Sequence, residues 1–182
     1  PMRIDRSTGL LDAARFVPSP NADARPGGCA VEVLVIHNIS LPPGEFGGNA
    51  IEQLFCNTLD FQAHPFYRTI DGLKVSAHLL IRRSGELVQC VPFHQRAWHA
   101  GVSRWHGRER VNEFSIGIEL EGSDEMPFEN IQYEVLARVT RALMQAYPGI
   151  TGDRIVGHAD IAPGRKTDPG PFFDWPRYRA TI

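Results

Sequence analysis

No stretch of the 182 residues approaches the roughly 18–20 consecutive apolar positions that span a bilayer, so the sequence contains no candidate membrane helix. A basic excess is missing too. The 19 Lys and Arg against 21 Asp and Glu leave a formal charge of −2, which argues against nucleic acid as the main partner. Cysteine is scarce and unpatterned: Cys29, Cys56 and Cys90 are odd in number, far apart and free of CxxC spacing. That pattern reads as reduced thiols rather than a disulfide framework. The opening stretch "PMRIDRSTGLLDAARFVPSP" lacks the basic-then-apolar layout of a secretory signal, and the expected location is the cytoplasm. No internal repeat or low-complexity tract appears.

What is present is ordinary globular usage, 42% hydrophobic and 22% charged residues, at a length that suits one domain over 1–182. Residues 1–30, rich in Pro, Gly, Asp and Arg, read as an irregular arm. "VEVLVIHN" (31–38) is apolar on both faces, as in a central strand, and stops at the Pro/Gly-rich "HNISLPPGEFGGN". A short helix is expected near Ile51–Phe55, then a long excursion to about Lys74. That connection is longer than compact domains usually carry and suggests a cover over a cleft. "VSAHLLIRRSGELVQCVPF" reads as a hairpin turning at Ser84-Gly85, and "FSIGIELEG" as a strand. In the latter, Ile116, Ile118 and Leu120 share one face and Gly117, Glu119 and Glu121 the other. Ile131, Val135, Leu136, Val139 and Leu143 recur at helical spacing until Pro148-Gly149. Together these elements predict an α/β fold with a central mixed sheet and flanking helices.

The most polar segment is "GHADIAPGRKTDPGP" (157–171). Its three prolines fix φ and push the preceding residues towards extended backbone, so it reads as a stiff loop, neither helix nor strand. It carries His158, Lys166 and Asp168, while His37 ends the 31–38 strand. Two imidazoles and a carboxylate are a common zinc set that leaves a fourth position open. The alternative is a satisfied strand-end His37 and an Asp168 that merely forms a turn. Spacing alone does not show that residues 121 positions apart converge. Glu119 and Glu121 are equal candidates for a working carboxylate on their strand. His94, His99 and His106, grouped around Trp98 and Trp105, suit a sugar-binding wall better than a second metal site. His78 reads as a hydrogen-bonded structural residue and His64 as loop.

Five stretches then align in order: "LVIHNISLPPGEFGG", "SAHLLIRRSGELVQCVPF", "RAWHAGVS", "NEFSIGIELEG" and "GHADIAPGRKTDPGPFFDW". They resemble the zinc-dependent N-acetylmuramoyl-L-alanine amidases of the T7-lysozyme and peptidoglycan-recognition family. Within it they are most similar to the cytoplasmic enzymes that act on 1,6-anhydro-muropeptides in cell-wall recycling. The resemblance implies that family's fold, a central mixed sheet with helices on it. It also implies one zinc ion per chain on His37, His158 and Asp168, with Glu119 as the catalytic acid–base and Lys166 beside the developing oxyanion.

The implied activity is hydrolysis of the amide between the lactyl group of 1,6-anhydro-N-acetylmuramic acid and L-alanine. The implied partner is the muropeptide itself, acted on by a monomer. A lytic amidase on polymeric murein and a non-catalytic peptidoglycan-binding module are the rival readings. For such a substrate Trp98 can stack on the sugar, Arg110 can pair with a stem-peptide carboxylate, and Asn38 can hydrogen-bond the scissile amide. Trp98 as core filling is the competing reading.

Overall fold

The structure, a computed structural model, describes residues 1–182. Its centre is a six-stranded sheet. In chain order the strands are β1 (Arg15–Phe16), β2 (Val33–Ile39), β3 (Leu79–Ile81), β4 (Leu87–Gln89), β5 (Ser115–Glu121) and β6 (Ile155–Gly157). The spatial order is β6-β2-β5-β3-β4-β1. β6, β2, β5 and β3 run parallel, β4 returns antiparallel to β3, and β1 lies parallel to β4. The expected mixed sheet is therefore present. No helix is long and apolar enough to cross a membrane.

β5 occupies the middle, and all seven of its residues are buried. Its alternation separates two layers. Ile116, Ile118 and Leu120 join Leu34 and Ile36 of β2 against α3 (Asn130–Ala146), which contributes Leu136, Val139 and Leu143. On the opposite face Val33, Val35 and Val156 pack with Ala100, Val111, Phe114 and Ile161. This second face carries Ser115, Gly117, Glu119 and Glu121, and burying such residues is costly unless they find partners.

α3 starts where the Glu129 N–H donates to the Gln132 side chain at 3.0 Å, closing the first turn. Gln132 itself is fully buried and donates to Ile81 O and Glu121 O, tying the helix to the sheet. The predicted helix is thus present, but its predicted face is one residue off at the start. Ile131 is 40% exposed, turned outward because Gln132 takes the inward position, and it lies over the hairpin turn. A Cβ on Gly85 would meet Ile131 Cγ1 at 2.6 Å, and φ there is +87°, so this turn requires glycine. The hairpin otherwise matches its prediction, with Gly85 N–H donating to Arg82 O at 2.9 Å.

Three expectations need correction. The first 30 residues are not an irregular arm. Ile4–Asp5 pairs with Leu10–Leu11, β1 extends the central sheet, and Ala22–Ala24 pairs with Gln95–Ala97. Strands of two or three residues show no period, so only partners far along the chain reveal them. The long 39–74 connection is not a loose cover either. It carries α1 (Ala50–Phe55) and α2 (Pro65–Thr69), and Leu41, Ile51, Leu54, Phe55 and Tyr67 form a core with Leu80 and Val88. His64 is the N-cap of α2, its Nδ1 accepting from Phe66 N–H at 3.0 Å. Finally, the 157–171 segment does contain one helical turn, α4 (His158–Ile161), started by Gly157 N–H donating to Asp160 Oδ2 at 2.8 Å. A last helix, α5, spans Trp175–Arg179. The three cysteines are free thiols, and burial pushes Cys90 up to about 12.

Candidate metal centre

Parallel register explains why distant residues meet. Across β2 and β5, Glu119 lies opposite His37; across β2 and β6, Gly157 lies opposite Ile36. His37 at the end of β2, Glu119 at the end of β5 and His158 just past β6 therefore gather at one edge. The carboxyl ends of adjacent parallel strands are where open α/β sheets place their ligands. Asp168 is brought back by its own backbone, whose carbonyl accepts from Ala159 N–H at 3.0 Å. Asp124 holds the returning loop from outside. It accepts from Asn38 Nδ2 at 2.6 Å through Oδ1 and from the Thr167 hydroxyl through Oδ2. Gly170, at φ +87°, lies against Asp124, so a Cβ has no room at that point.

The donor atoms converge. His37 Nδ1 lies 3.0 Å from His158 Nδ1 and 2.9 Å from Asp168 Oδ2, and His158 Nδ1 lies 3.2 Å from Asp168 Oδ2. Ligand atoms held tetrahedrally at about 2.0–2.2 Å from zinc stand roughly 3.3 Å apart, close to this triangle. The far ring nitrogens decide the protonation. His158 Nε2 lies 2.9 Å from Ala100 O, which only accepts, so Nε2 carries the hydrogen and Nδ1 presents a lone pair. His37 Nε2 lies 2.9 Å from His99 Nδ1, and His99 Nε2 lies 3.0 Å from Ser115 Oγ. A hydrogen on Nε2 of each ring gives His37 N–H to His99 and His99 N–H to Ser115. His37 Nδ1 then also presents a lone pair. Two lone pairs and a carboxylate facing one point repel unless a cation sits among them, so the residues fit a divalent metal.

Burial disfavours charge on His37 and His99. It lowers the pKa of His37 despite the opposing pull of Asp168, and lowers His99 well below the ordinary value, helped by neighbouring His37 and His78. Burial opposes ionisation of Asp168 as well, but a proton shared with His158 or His37, or a cation in its place, outweighs that and holds the carboxyl below its usual range.

Glu119 behaves oppositely. Burial, reinforced by the Asp168 charge and only partly countered by Lys166, raises it well above the usual carboxylate range. Its Oε2 is 4.0 Å from His37 Nδ1, and its buried Oε1 has no hydrogen-bond partner. An orphaned oxygen beside three ligand atoms is arranged for something absent from the chain itself. Glu121, two residues on and on the same face, is fully engaged. It accepts from Arg83 N–H at 2.9 Å, Gly47 N–H at 2.8 Å and Arg82 Nη1 at 3.3 Å. The two carboxylates that sequence left equal are separated by their partners. Lys166 is exposed on the loop, its ammonium close enough to bear on both His37 and Glu119.

The expected substrate contacts fare differently. Both Asn38 amide hydrogens are committed, to Asp124 and to Pro169 O at 3.0 Å, so Asn38 braces the ligand loop rather than offering a donor. Trp98 is half-buried, its Nε1 donating to Asp23 Oδ1 at 3.4 Å. Arg110 is exposed and lines a cavity of about 530 Å³ with Ser103, Arg104, Ile161 and Arg165, next to the ligand loop. His94, His99 and His106 do not form a unit. His94 packs on Gly9 and His106 stacks on Trp105, while His99 alone reaches the centre.

His99, Ser115 and Asp124 are the residues that sequence reasoning missed. One signal was available: a buried strand face reading Ser-x-Gly-x-Glu has room for a ring over its glycine. A Cβ on Gly117 would overlap the His99 ring, with Nδ1 at 2.6 Å. His78 is structural as expected, its Nδ1 accepting from Gly117 N–H at 3.1 Å and its Nε2 donating to Gln95 O at 2.8 Å.

The family described as N-acetylmuramoyl-L-alanine amidase matches residues 27–171, more than half of the chain. The chain belongs to this amidase family. The amidase is 60% identical over 174 residues to the 1,6-anhydro-N-acetylmuramyl-L-alanine amidase AmpD of Escherichia coli (strain K12), across 96% of this chain and 94% of that protein. Its fold matches the crystal structure of a selenomethionine AmpD derivative with a TM-score of 0.96 at 57% identity, covering 100% of this chain and 99% of the other. A further match is the E. coli amidase AmiD in complex with the substrate anhydro-N-acetylmuramic acid-L-Ala-D-γ-Glu-L-Lys. Its TM-score is 0.61 at 31% identity, over 98% of the amidase and 65% of that chain.

Proposed function

We propose that this amidase hydrolyses the bond between the lactyl group of 1,6-anhydro-N-acetylmuramic acid and L-alanine in muropeptides, using one zinc ion on His37, His158 and Asp168. The observation that carries the reading is the convergence of His37 Nδ1, His158 Nδ1 and Asp168 Oδ2, with both ring lone pairs turned inward. When bound, zinc supplies Lewis-acid activation of water and of the amide carbonyl.

The chain's own groups supply the rest. Glu119 Oε1, buried and unpartnered, takes the proton of the attacking water and returns it to the departing alanine nitrogen. Its raised pKa suits both halves of that task, because a carboxyl that holds a proton more readily than usual can take one from water and pass it on. Lys166 brings a positive charge to the carbonyl oxygen as negative charge develops there. Loss of one such donor typically costs about 2.7–4 kcal/mol of barrier. His99 and Ser115 hold the tautomer of His37, and Ala100 O holds that of His158. The 530 Å³ cavity beside the loop, with Arg104, Arg110 and Arg165 on its wall, has the size and charge for a carboxylate-bearing peptide stem. Relatives named for the anhydro-muropeptide reaction support the substrate class, and a cytoplasmic site of action belongs to the same proposal.

Purified protein incubated with anhydro-muramyl tripeptide, and separately with intact sacculi, tests the reading by mass spectrometry. Release of free tripeptide from the soluble substrate, abolished by a chelator and restored by zinc, is the expected result. Cleavage of sacculi alone would replace it with the lytic reading, and cleavage of neither with the binding-module reading.

A further inference from the structure

The two metal imidazoles take their orientation from consecutive residues of one chain segment. His37 Nε2 donates to the His99 ring, and His158 Nε2 donates to the Ala100 carbonyl, both at 2.9 Å. His99 and Ala100 lie past the end of the 95–97 strand, where no ladder hydrogen bonds fix the backbone. Trp98 is tied to Ser76, its N–H donating to Ser76 Oγ and its carbonyl accepting from Ser76 N–H, each at 3.0 Å. Beyond it, both N–H groups of the buried His99 and Ala100 go to a single atom. Asn112 Oδ1 accepts from His99 N–H at 3.1 Å and from Ala100 N–H at 2.8 Å. Two donors facing one side-chain amide can be met only by its oxygen, so these partners decide which way Asn112 points.

Asn112 is itself anchored. It lies in a short 3-10 helix, Val111–Phe114, whose first N–H donates to Ser103 Oγ at 3.1 Å. Arg25 reaches under that turn, its Nη1 donating to Asn112 O and Glu113 O at 3.1 and 3.2 Å. The demands on Ala100 make the anchoring matter. Its carbonyl also accepts from Arg165 Nη2 at 2.6 Å, a charged donor on the wall of the arginine-lined cavity. A charged donor is a strong competitor for the same oxygen, so the carbonyl stays aimed at His158 only if the peptide is held from its N–H side.

We propose that Asn112 is a positioning residue for the metal centre. Through one oxygen it fixes the His99 ring behind His37 and the Ala100 carbonyl behind His158, acting on both ligands by way of the backbone. Its effect on zinc affinity rests on the zinc reading above; its effect on the two rings rests on the chain alone.

The test compares wild type with Asn112→Leu, which keeps the bulk and removes the acceptor, and with Asn112→Asp, which keeps an acceptor oxygen. Asn112→Ala makes the same comparison should the leucine variant fail to fold. Nitrogen-edited proton spectra, recorded with and without zinc, follow the Nε2–H signals of His37 and His158, and a zinc titration reads affinity. Wild type should show both signals, shifted downfield and slow to exchange with water. Asn112→Leu should exchange at least one of them about tenfold faster and bind zinc about 10–100-fold more weakly. Asn112→Asp should keep both signals and lose no more than about threefold in zinc affinity. A lowered melting temperature with unchanged Nε2–H signals and unchanged zinc Kd is what a merely structural residue gives, and it overturns the proposal. So does an Asn112→Asp protein that behaves like Asn112→Leu. A wild type that binds no zinc overturns the zinc reading instead, and the metal-free Nε2–H signals still decide the role of Asn112.

Discussion

Glu119 and Glu121 sit two residues apart on one strand face, and replacing each with glutamine should produce opposite phenotypes. Glu119→Gln keeps the volume but removes the proton acceptor. General acid–base groups contribute about 10²–10⁴-fold, so kcat should fall by that factor, equivalent to about 3–5 kcal/mol of barrier. Stability should not fall with it. Folding raises the Glu119 pKa, so the native state binds a proton better than the unfolded chain does. Stability is therefore lost as pH rises from the ordinary glutamate value through the raised one, and at neutral pH the charged side chain opposes folding. Glutamine carries no such penalty, and metal-free Glu119→Gln should melt at or above the wild-type temperature.

Glu121→Gln should do the reverse. It leaves buried Arg82 short of a partner, a change that costs about 3–5 kcal/mol when no other acid is near. Glu52 and Glu86 still contact Arg82, so the cost falls below that range, to about 1.5–3 kcal/mol. That corresponds to a Tm lowered by roughly 3–12 °C in a chain of this size. Turnover of folded, zinc-loaded enzyme should stay within about threefold of wild type, because Glu121 points its oxygens at Arg82, Arg83 and Gly47. The assay is peptide release from anhydro-muramyl tripeptide beside calorimetric melting and metal analysis of each variant. Near-wild-type kcat in Glu119→Gln, or its loss in stably folded Glu121→Gln, would refute the division of roles.

Gly117→Ala should drive a methyl group into the His99 ring, costing about 1–3 kcal/mol in a chemical melt and weakening zinc about 10–100-fold by freeing the His37 ring. Unchanged zinc affinity would show that His99 does not orient His37. Lys166→Ala should lower kcat about 10²–10³-fold with unchanged zinc content, and wild-type turnover would remove its role. His78, whose pKa burial and Arg25 lower to about 3, makes stability depend on pH. The unfolded chain takes up this proton below about 6.5 and the native state does not, so stability falls by a few kcal/mol between pH 6.5 and about 3. Urea melts of metal-free protein that are flat over that window would contradict a buried neutral His78.

Legibility from the sequence followed the range of the signal. β5 and α3 were readable because burial on one side imposes periods of two and 3.6 on adjacent residues. The ends of the metal centre were readable as polar residues at strand ends, yet their meeting depends on the β2, β5 and β6 register, which no local pattern encodes. The N-terminal ladders were hidden because each is too short to show a period. The face of α3 slipped at Ile131 because Gln132 has carbonyls to satisfy at Ile81 and Glu121, a tertiary demand that overrides hydrophobic order. His99 was grouped with its sequence neighbours, although its contacts are with His37, Ser115 and Gly117 on other strands.

The most direct measurement is equilibrium zinc content, by mass spectrometry of the metal after dialysis against trace zinc, in wild type and Asp168→Ala. One ion per chain in the wild type and far less than one in the variant, which still folds, is the predicted result. A wild type that holds no zinc, or a variant that holds it as tightly, would mean that His37, His158 and Asp168 meet for some other reason.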